Sequence, residues 1–407
     1  MRPVTPLNNT ANVYAIAGAS ESTRVWRVTS PETTCELKGD LSGGLYKVGT
    51  KLLAEKINQQ RYVAVNVNSS YPAPEVVGEI SNQDLHSATP ADLVIIVPAS
   101  GKLTAQAQRL ADAHAAKEGM RCLVVSADKI YNEFSSGAPD ATAYRRFMKM
   151  LYDRAENEDD APKNILLFGD CIWDNRIVTS KMKGRSPEDY LLCYESGNSV
   201  SHTDSYVLEE YITLLDDGEG VRPLKEKYDI GVGRIPVTNA TDAKVVVDKL
   251  IRYINNEEVG AWKNTICILG DDGDKNQHMV DAEDVLQSTE ALFPEYRYRR
   301  IYWDAYTIDK TSTGANFPGA YSDINKQMED GALIMNYTGH GAAYSLSHEK
   351  TILRADFERW SSPRLPLWIT AACDISPFDM SEENIGRRCQ ILELLGFHGP
   401  SLLIPRC

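Results

Sequence analysis

No apolar run in this chain is long enough to span a membrane. The longest, ADLVIIVP at 91–98 and LPLWITAAC at 365–373, fall far short of the roughly 20 residues a bilayer helix needs. The opening stretch, MRPVTPLNNTANVYAIAG, has no basic segment leading into an apolar one, so no signal peptide is expected, and read literally the chain stays in the cytoplasm. Positive charge is also scarce. Lys and Arg number 43 against 57 Asp and Glu, a net charge of −14, and no basic stripe stands out, which argues against nucleic acid and anionic membranes as partners.

Several cofactor signatures are missing as well. Eight cysteines, at 35, 122, 171, 193, 267, 373, 389 and 407, lie far apart without a CxxC pair, and most are expected to be small core residues. No G-x-G-x-x-G follows a strand. The segment PASGKLT lacks the first glycine of a phosphate loop and carries Leu103 after Lys102 where Ser or Thr is required. Nucleotide binding is not expected. No HxxxH occurs, His278 and His348 have no i, i+4 partner of that kind, and spacing assembles no closed zinc site. The run DDGDKNQH starts like a calcium loop but has Gln277 where the loop needs glycine. A solvated acidic turn is the preferred reading there, with a structural Ca2+ kept as an alternative; no other cofactor and no metal is expected.

What the chain does have is length and pattern. Its 407 residues, 43% hydrophobic, can bury a sizeable core in two or three units. Residues 1–90 alternate in short runs, RVWRVTS and RYVAVNVN, broken by SGG and YPAP, the pattern of a small β region. From 91 onward buried-strand runs alternate with helical periods: ADLVIIVP, LTAQAQRLADAHAAKEG, RCLVVSA, DATAYRRFMKMLYDRAEN with Asp140 as N-cap, and KNILLFGD. A less regular acidic segment, 171–227, leads to the strand YDIGVGRIP and the helix NATDAKVVVDKLIRYINN. The alternation resumes with TICILGDD, MVDAEDVLQSTEALF, YRRIYWD, a helix around YSDINKQMED, ALIMNYTGHG and LPLWITAACD. Such order predicts α/β architecture, parallel sheets flanked by helices, in two halves at 91–262 and 263–388.

In open parallel sheets, functional groups gather beyond the carboxyl ends of the strands. The GDD at 270–272, His340 and Cys373 all stand at such ends, in the second half. A thiolate is a strong nucleophile; a nearby imidazolium lowers its pKa and can protonate a leaving amine. The glycines flanking His340 allow close backbone approach, and the N–H groups of Gly341 and Cys373 are candidates for an oxyanion hole.

A strand ending in NYTGHG, then a strand ending in AC with its cysteine 33 positions after the histidine, resembles the gingipain family of cysteine peptidases in the caspase-like clan. DATAYRRFMKMLYDRAE, NILLFGD, DIGVGRIP, HMVDAED and TAACDISPFDMSEENIGRR look most like the signal-peptidase, or sortase, branch of that family in the type IX secretion system of Bacteroidota. The likeness runs from about residue 10 to 388.

It implies a caspase-like fold with Cys373 as nucleophile, His340 as acid–base and Asp272 as the acid supporting the histidine, Asp271 and Asp274 being adjacent alternatives. It further implies removal of the C-terminal signal domain from secreted cargo and transfer of the new carboxyl end to a cell-surface lipopolysaccharide, with outer-membrane secretion components as partners. Hydrolysis without ligation, and an inactive fragment acting as a scaffold, are the rival readings. Tyr344 and Leu346 are expected in the substrate-pocket wall; Leu346 stands where gingipains carry tryptophan. The position of their arginine-selecting acid falls near Lys275, so arginine specificity is not carried over. His348 is read as a bystander. The family implies a cell-surface location for the parent protein, against the chain's own start. CQILELLGFHGPSLLIPRC, from 389 to 407, does not resemble the family and is expected to be read out of frame at the end of a fragment.

Overall fold

A computed structural model describes residues 11–29, 34–51, 61–196, 207–311 and 314–377, together with 379, 380, 385, 402 and 403. The chain divides into two compact units, Met1–Ser81 and Asn82–Cys407. In the first, β1 (Ala11–Ala17), β2 (Thr23–Arg27), β3 (Cys35–Leu37), β4 (Gly39–Ser42), β5 (Leu45–Lys51) and β6 (Tyr62–Asn66) form two antiparallel sheets, ordered β1-β5-β4 and β3-β2-β6. The alternation in the sequence is a two-faced one: Val25 and Val48 are buried while Val13 and Val63 face solvent.

The second unit opens with β7 (Leu93–Val97), α1 (Thr104–Glu118), β8 (Cys122–Ser126), α2 (Ala127–Phe134), α3 (Ala141–Asp153), β9 (Asn164–Phe168), β10 (Gly231–Ile235) and α4 (Ala240–Ile254). The four strands are parallel in the order β10-β9-β7-β8. Every residue of β7 is buried. Leu93, Ile95 and Val97 pack with Leu110 and Val246 from α1 and α4, whereas Val94 and Ile96 pack with Ile130, Tyr144 and Phe147 from α2 and α3. One strand therefore feeds two cores, each large aliphatic or aromatic side chain contributing about 1.5–3 kcal/mol of burial. Asp140 caps α3 by accepting from the Thr142 N–H at 2.8 Å, and Asn239 caps α4 from Asp242 at 3.0 Å.

A second parallel sheet follows. Its elements are β11 (Thr265–Gly270), α5 (Gly273–Leu292), β12 (Arg297–Tyr302), the small hairpin β13 (Asp309–Thr311) and β14 (Gly314–Asn316), and α6 (Pro318–Asp330). Then come β15 (Ile334–Thr338), the short strands β16 (Gly341–Ala342), β17 (Ser345–Leu346) and β18 (Ile352–Leu353), α7 (Arg354–Arg359), β19 (Leu367–Ala371) and β20 (Leu402–Leu403). The sheet runs β12-β11-β15-β19-β20, all parallel. After β11 the chain leaves to β12 on one side and returns to β15 on the other, which makes the carboxyl ends of β11 and β15 a topological switch point. Cys267 and Leu269 face a core with Ile324, Trp303 and Phe357, and Ile266 and Ile268 face Ala282 and Leu286 of α5.

Two features were not read from the sequence. Residues 127–134 form α2, and residues 341–346 fold back as a short hairpin, β16 against β17. Of the five free cysteines among the described residues, only Cys171 and Cys267 are buried; Cys35, Cys122 and Cys193 are half-buried, Cys122 at the margin of the core under α1 and α4. Apart from Leu402 and Leu403, the tail at 389–407 lies outside the described residues. Among the described residues no helix is long and apolar enough to cross a membrane.

Candidate active site

Strands β15 and β19 are neighbours, with Thr338 paired to Ala371 at their carboxyl ends. His340 and Cys373 each follow two residues later, so the register carries them to equivalent places beyond one edge of the sheet. The Gly339 N–H donates to the Ala371 carbonyl at 3.2 Å, extending the ladder past the strands. Gly341 is then pressed against the cysteine: a Cβ there would stand 2.5 Å from the Cys373 carbonyl oxygen and 2.9 Å from the Ala372 Cβ. No side chain fits. The Ser347 N–H donates to the His340 carbonyl at 2.8 Å, which makes Gly341, opposite Leu346, a non-hydrogen-bonded position whose N–H points away from the hairpin partner.

Asp271, directly after β11, is the hub of the site and is fully buried. Its Oδ2 accepts from the His340 N–H at 2.7 Å and from the Tyr337 hydroxyl at 3.0 Å. Its Oδ1 accepts from the Gly273 N–H at 3.1 Å and from His278 Nδ1. Four donors meet the four lone-pair sites of one carboxylate. A buried carboxylate held this way is satisfied, and it pins both histidine loops. Burial and the adjacent Asp271 charge push the Tyr337 phenol far above its usual range, so it stays a donor, its one proton shared between Asp271 and the His340 carbonyl at 2.7 Å.

The chain between Asp271 and His278 is left-handed at Asp274, Lys275 and Asn276, with φ of 51°, 60° and 70°. This kink is where the reading of a plain helix start at 279 differs from the structure, whose helix is counted from Gly273. It swings Asp274 between the two imidazoles, its carboxylate 3.4 Å from His278 Nε2 and 3.8 Å from His340 Nε2. The rings meet edge to face with centroids 4.8 Å apart. A Cβ on Gly273 would lie 2.8 Å from His340 Cδ2 and 2.9 Å from His278 Nδ1, so only glycine lets both rings sit over this turn.

The candidate residues thus fall in different places. Cys373, His340 and Gly341 come together. Asp272, expected to support the histidine, makes no hydrogen bond or ion pair with it among the described residues; its Oδ1 is buried without a hydrogen-bond partner there, and Asp271 and Asp274 hold the positions facing His340. Leu346, expected in the pocket wall, is fully buried and packs in the core with Trp303, Tyr337 and Phe357. The hairpin turns its apolar side inward, so Leu346 offers no surface to a substrate. Tyr344 is 46% exposed with the Arg354 guanidinium 5.6 Å from its ring centroid, a placement open to a ligand. Lys275 is exposed on the kink, and the His348 ring lies 6.5 Å from that of His340. Cys373 is joined in a disulfide; thiolate chemistry at this position requires its reduced form.

His278 was missed as a functional residue. The sequence carried one signal, an acidic residue four positions before a histidine in D-K-N-Q-H, read only as a failed calcium loop. Asp271, the first acidic residue of that run, has its lone-pair sites taken by protein donors.

The pattern of peptidase family C25 matches residues 86–393. No curated protein sequence matches the chain. Among solved structures, dimeric latent PorU from Porphyromonas gingivalis is similar with a TM-score of 0.57 and 33% identity, over 64% of this chain and 24% of that one. The Arg-specific cysteine proteinase gingipain R (RGPB) is similar with a TM-score of 0.51 and 15% identity, over 75% of this chain and 60% of that one; at such identity it bears on the fold alone. The chain spans about a quarter of the length of the PorU structure it matches. The two parallel sheets flanked by helices are the caspase-like, gingipain-type α/β architecture expected from the sequence.

Proposed function

The chain belongs to peptidase family C25, and from that premise we propose that it is a PorU-type cysteine endopeptidase and transpeptidase in which Cys373 is the nucleophile and His340 the acid–base. The observation that supports this most directly is the shared register of β15 and β19, which sets the two residues at equal distances past neighbouring strands.

In the proposed reaction the reduced Cys373 thiolate attacks the scissile carbonyl carbon, and the carbonyl electron pair moves to oxygen. The N–H groups of Gly341 and Cys373 receive that oxyanion. As the C–N bond breaks, His340 gives its proton to the leaving amine, and a thioester remains on Cys373. An incoming amine then attacks the thioester, its proton passes to His340, and the thiolate departs.

By this reading the cleaved bond joins secreted cargo to its C-terminal signal domain, and the amine belongs to a cell-surface lipopolysaccharide. The partners would be signal domains and outer-membrane components of type IX secretion, and the place of work the cell surface. Hydrolysis is the second reading, favoured by one observation: the His340 side chain is 45% exposed, so water can reach the thioester.

The test is incubation of the reduced chain, and of Cys373→Ala, with a peptide spanning a cargo–signal-domain junction, with and without an amine acceptor, read by mass spectrometry. Cleavage by the wild type alone, with an amine adduct when acceptor is present, is expected. Cleavage that survives the substitution removes Cys373 as nucleophile; acid product alone in the presence of amine leaves hydrolysis.

A further inference from the structure

We propose that Asp274, His278 and His340 are the three protein ligands of an inhibitory Zn2+ site, in which the metal takes the Nε2 of the proposed acid–base, His340. One donor atom from each lies within 4.8 Å of the others. Tetrahedral zinc with bonds of about 2.0–2.2 Å sets its ligand atoms roughly 3.3 Å apart. Asp274 Oδ2 and His278 Nε2 are already at 3.4 Å, and Asp274 Oδ1 and His340 Nε2 at 3.8 Å. The remaining closure falls on parts that can move: Asp274, whose side chain is 66% exposed, and His340, set between two glycines.

A second observation points to a metal independently of those distances. His278 Nδ1 is bonded to Asp271, a carboxylate that is fully buried and whose other lone pairs are taken by Gly273, His340 and Tyr337. An acceptor there holds a proton on Nδ1 and turns Nε2 toward Asp274. Metal-ligating histidines are oriented in this way, with the second ring nitrogen given to a carboxylate. Two imidazoles and one carboxylate with a fourth position open suit zinc; calcium and magnesium require more oxygen ligands than this site holds.

The consequence for catalysis rests on the proposed acid–base role of His340. With a metal on Nε2 the ring can no longer cycle between neutral imidazole and imidazolium, whichever nitrogen serves Cys373, and the peptidase is off until the ion is withdrawn.

Zinc binding is measured on the full-length Cys373→Ala chain by competition with a chromophoric chelator, which keeps the thiol out of the result. The expected outcome is one zinc per chain. Asp274→Ala and His278→Asn should each weaken binding at least tenfold, and Asp271→Asn by ten- to a hundredfold, with circular dichroism confirming the fold; the exposed Asp274 keeps the test valid if a buried variant unfolds. No stoichiometric binding, or binding unchanged by both Asp274→Ala and His278→Asn, overturns the proposal. In the reduced wild type, zinc should stop cleavage and a chelator restore it, with Asp274→Ala shifting the inhibitory concentration by the same factor as the affinity. Site-dependent zinc binding by a chain that cleaves nothing in either state would uphold the metal site and defeat the peptidase reading instead.

Discussion

Gly341 and Cys373 touch through their backbones, so closely that a Cβ on the glycine would stand 2.5 Å from the cysteine carbonyl oxygen. The contact fixes the spacing between the His340 loop and the Cys373 loop, because neither backbone can yield without breaking the ladder between β15 and β19. Gly341→Ala should therefore separate the two loops. Overpacking of this kind costs about 1–3 kcal/mol, and a displacement of about 1 Å at a reacting pair costs on the order of a hundredfold in kcat/KM. Urea denaturation and peptide cleavage kinetics check the two numbers; an alanine variant with full activity would separate this contact from catalysis.

Cys373 is held in a disulfide, so cleavage should depend on a thiol reductant. The oxidised chain is expected to be inactive and to resist alkylation at Cys373, and reduction should restore both. Peptide mapping after iodoacetamide treatment distinguishes this site from the free cysteines, five of which lie among the described residues.

Asp271 accepts four hydrogen bonds as a carboxylate. Asp271→Asn keeps the shape but turns one acceptor oxygen into a donor, which then faces either His340 and Tyr337 or Gly273 and His278. Each buried donor left unmet costs about 1–3 kcal/mol. The variant should lose stability in urea and lose kcat more than it raises KM, since the histidine loops lose their anchor before the substrate surface does.

Leu346→Trp, which would restore the residue gingipains are expected to carry there, should destabilise the chain instead of changing its specificity. The position is fully buried, and the larger ring has nowhere to go. A fall in Tm with unchanged preference among cleaved peptides is the expected result; a new preference without loss of stability would put the side chain back in the pocket.

Glu133 provides a pH dependence unrelated to the site. Burial works to raise its pKa, but hydrogen bonds from Gln83, the Leu85 N–H and His86 overcome this and lower it to about 2. A carboxylate depressed in the folded chain stabilises it above the unfolded pKa, roughly 4.3, and that contribution is lost as pH falls from there toward about 2. Glu133→Gln should flatten the stability profile over that window, read by urea denaturation at a series of pH values.

Much of this was legible in one dimension. Unbroken runs such as LVIIV and TICILG can be satisfied only by strands covered on both faces, and the helical periods between them supply the covers, so the α/β class and the sites at strand ends followed from hydrophobic order alone. His340 and Cys373 were legible because each stands just past such a strand beside glycine or a turn. Asp271 was legible only as one of three adjacent carboxylates, since sequence cannot say which of DDGD points inward.

The chain's own order of residues therefore determined the elements, their parallel arrangement and the pair that flanks the sheet edge. The tertiary structure alone decided the partners of that pair. Strand β11 pairs with β15 so that Gly270 meets Thr338, and this register brings the loop after each strand to the other although they are far apart in the chain. Only then can Asp271 hold the His340 backbone, and only with the left-handed kink at 274–276 can Asp274 and His278 reach the same imidazole. Ligand spacing read along the sequence had discounted a metal here because the three donors share no helix or strand period; the sheet's hydrogen-bond register, which sequence spacing does not encode, put them within reach of one ion.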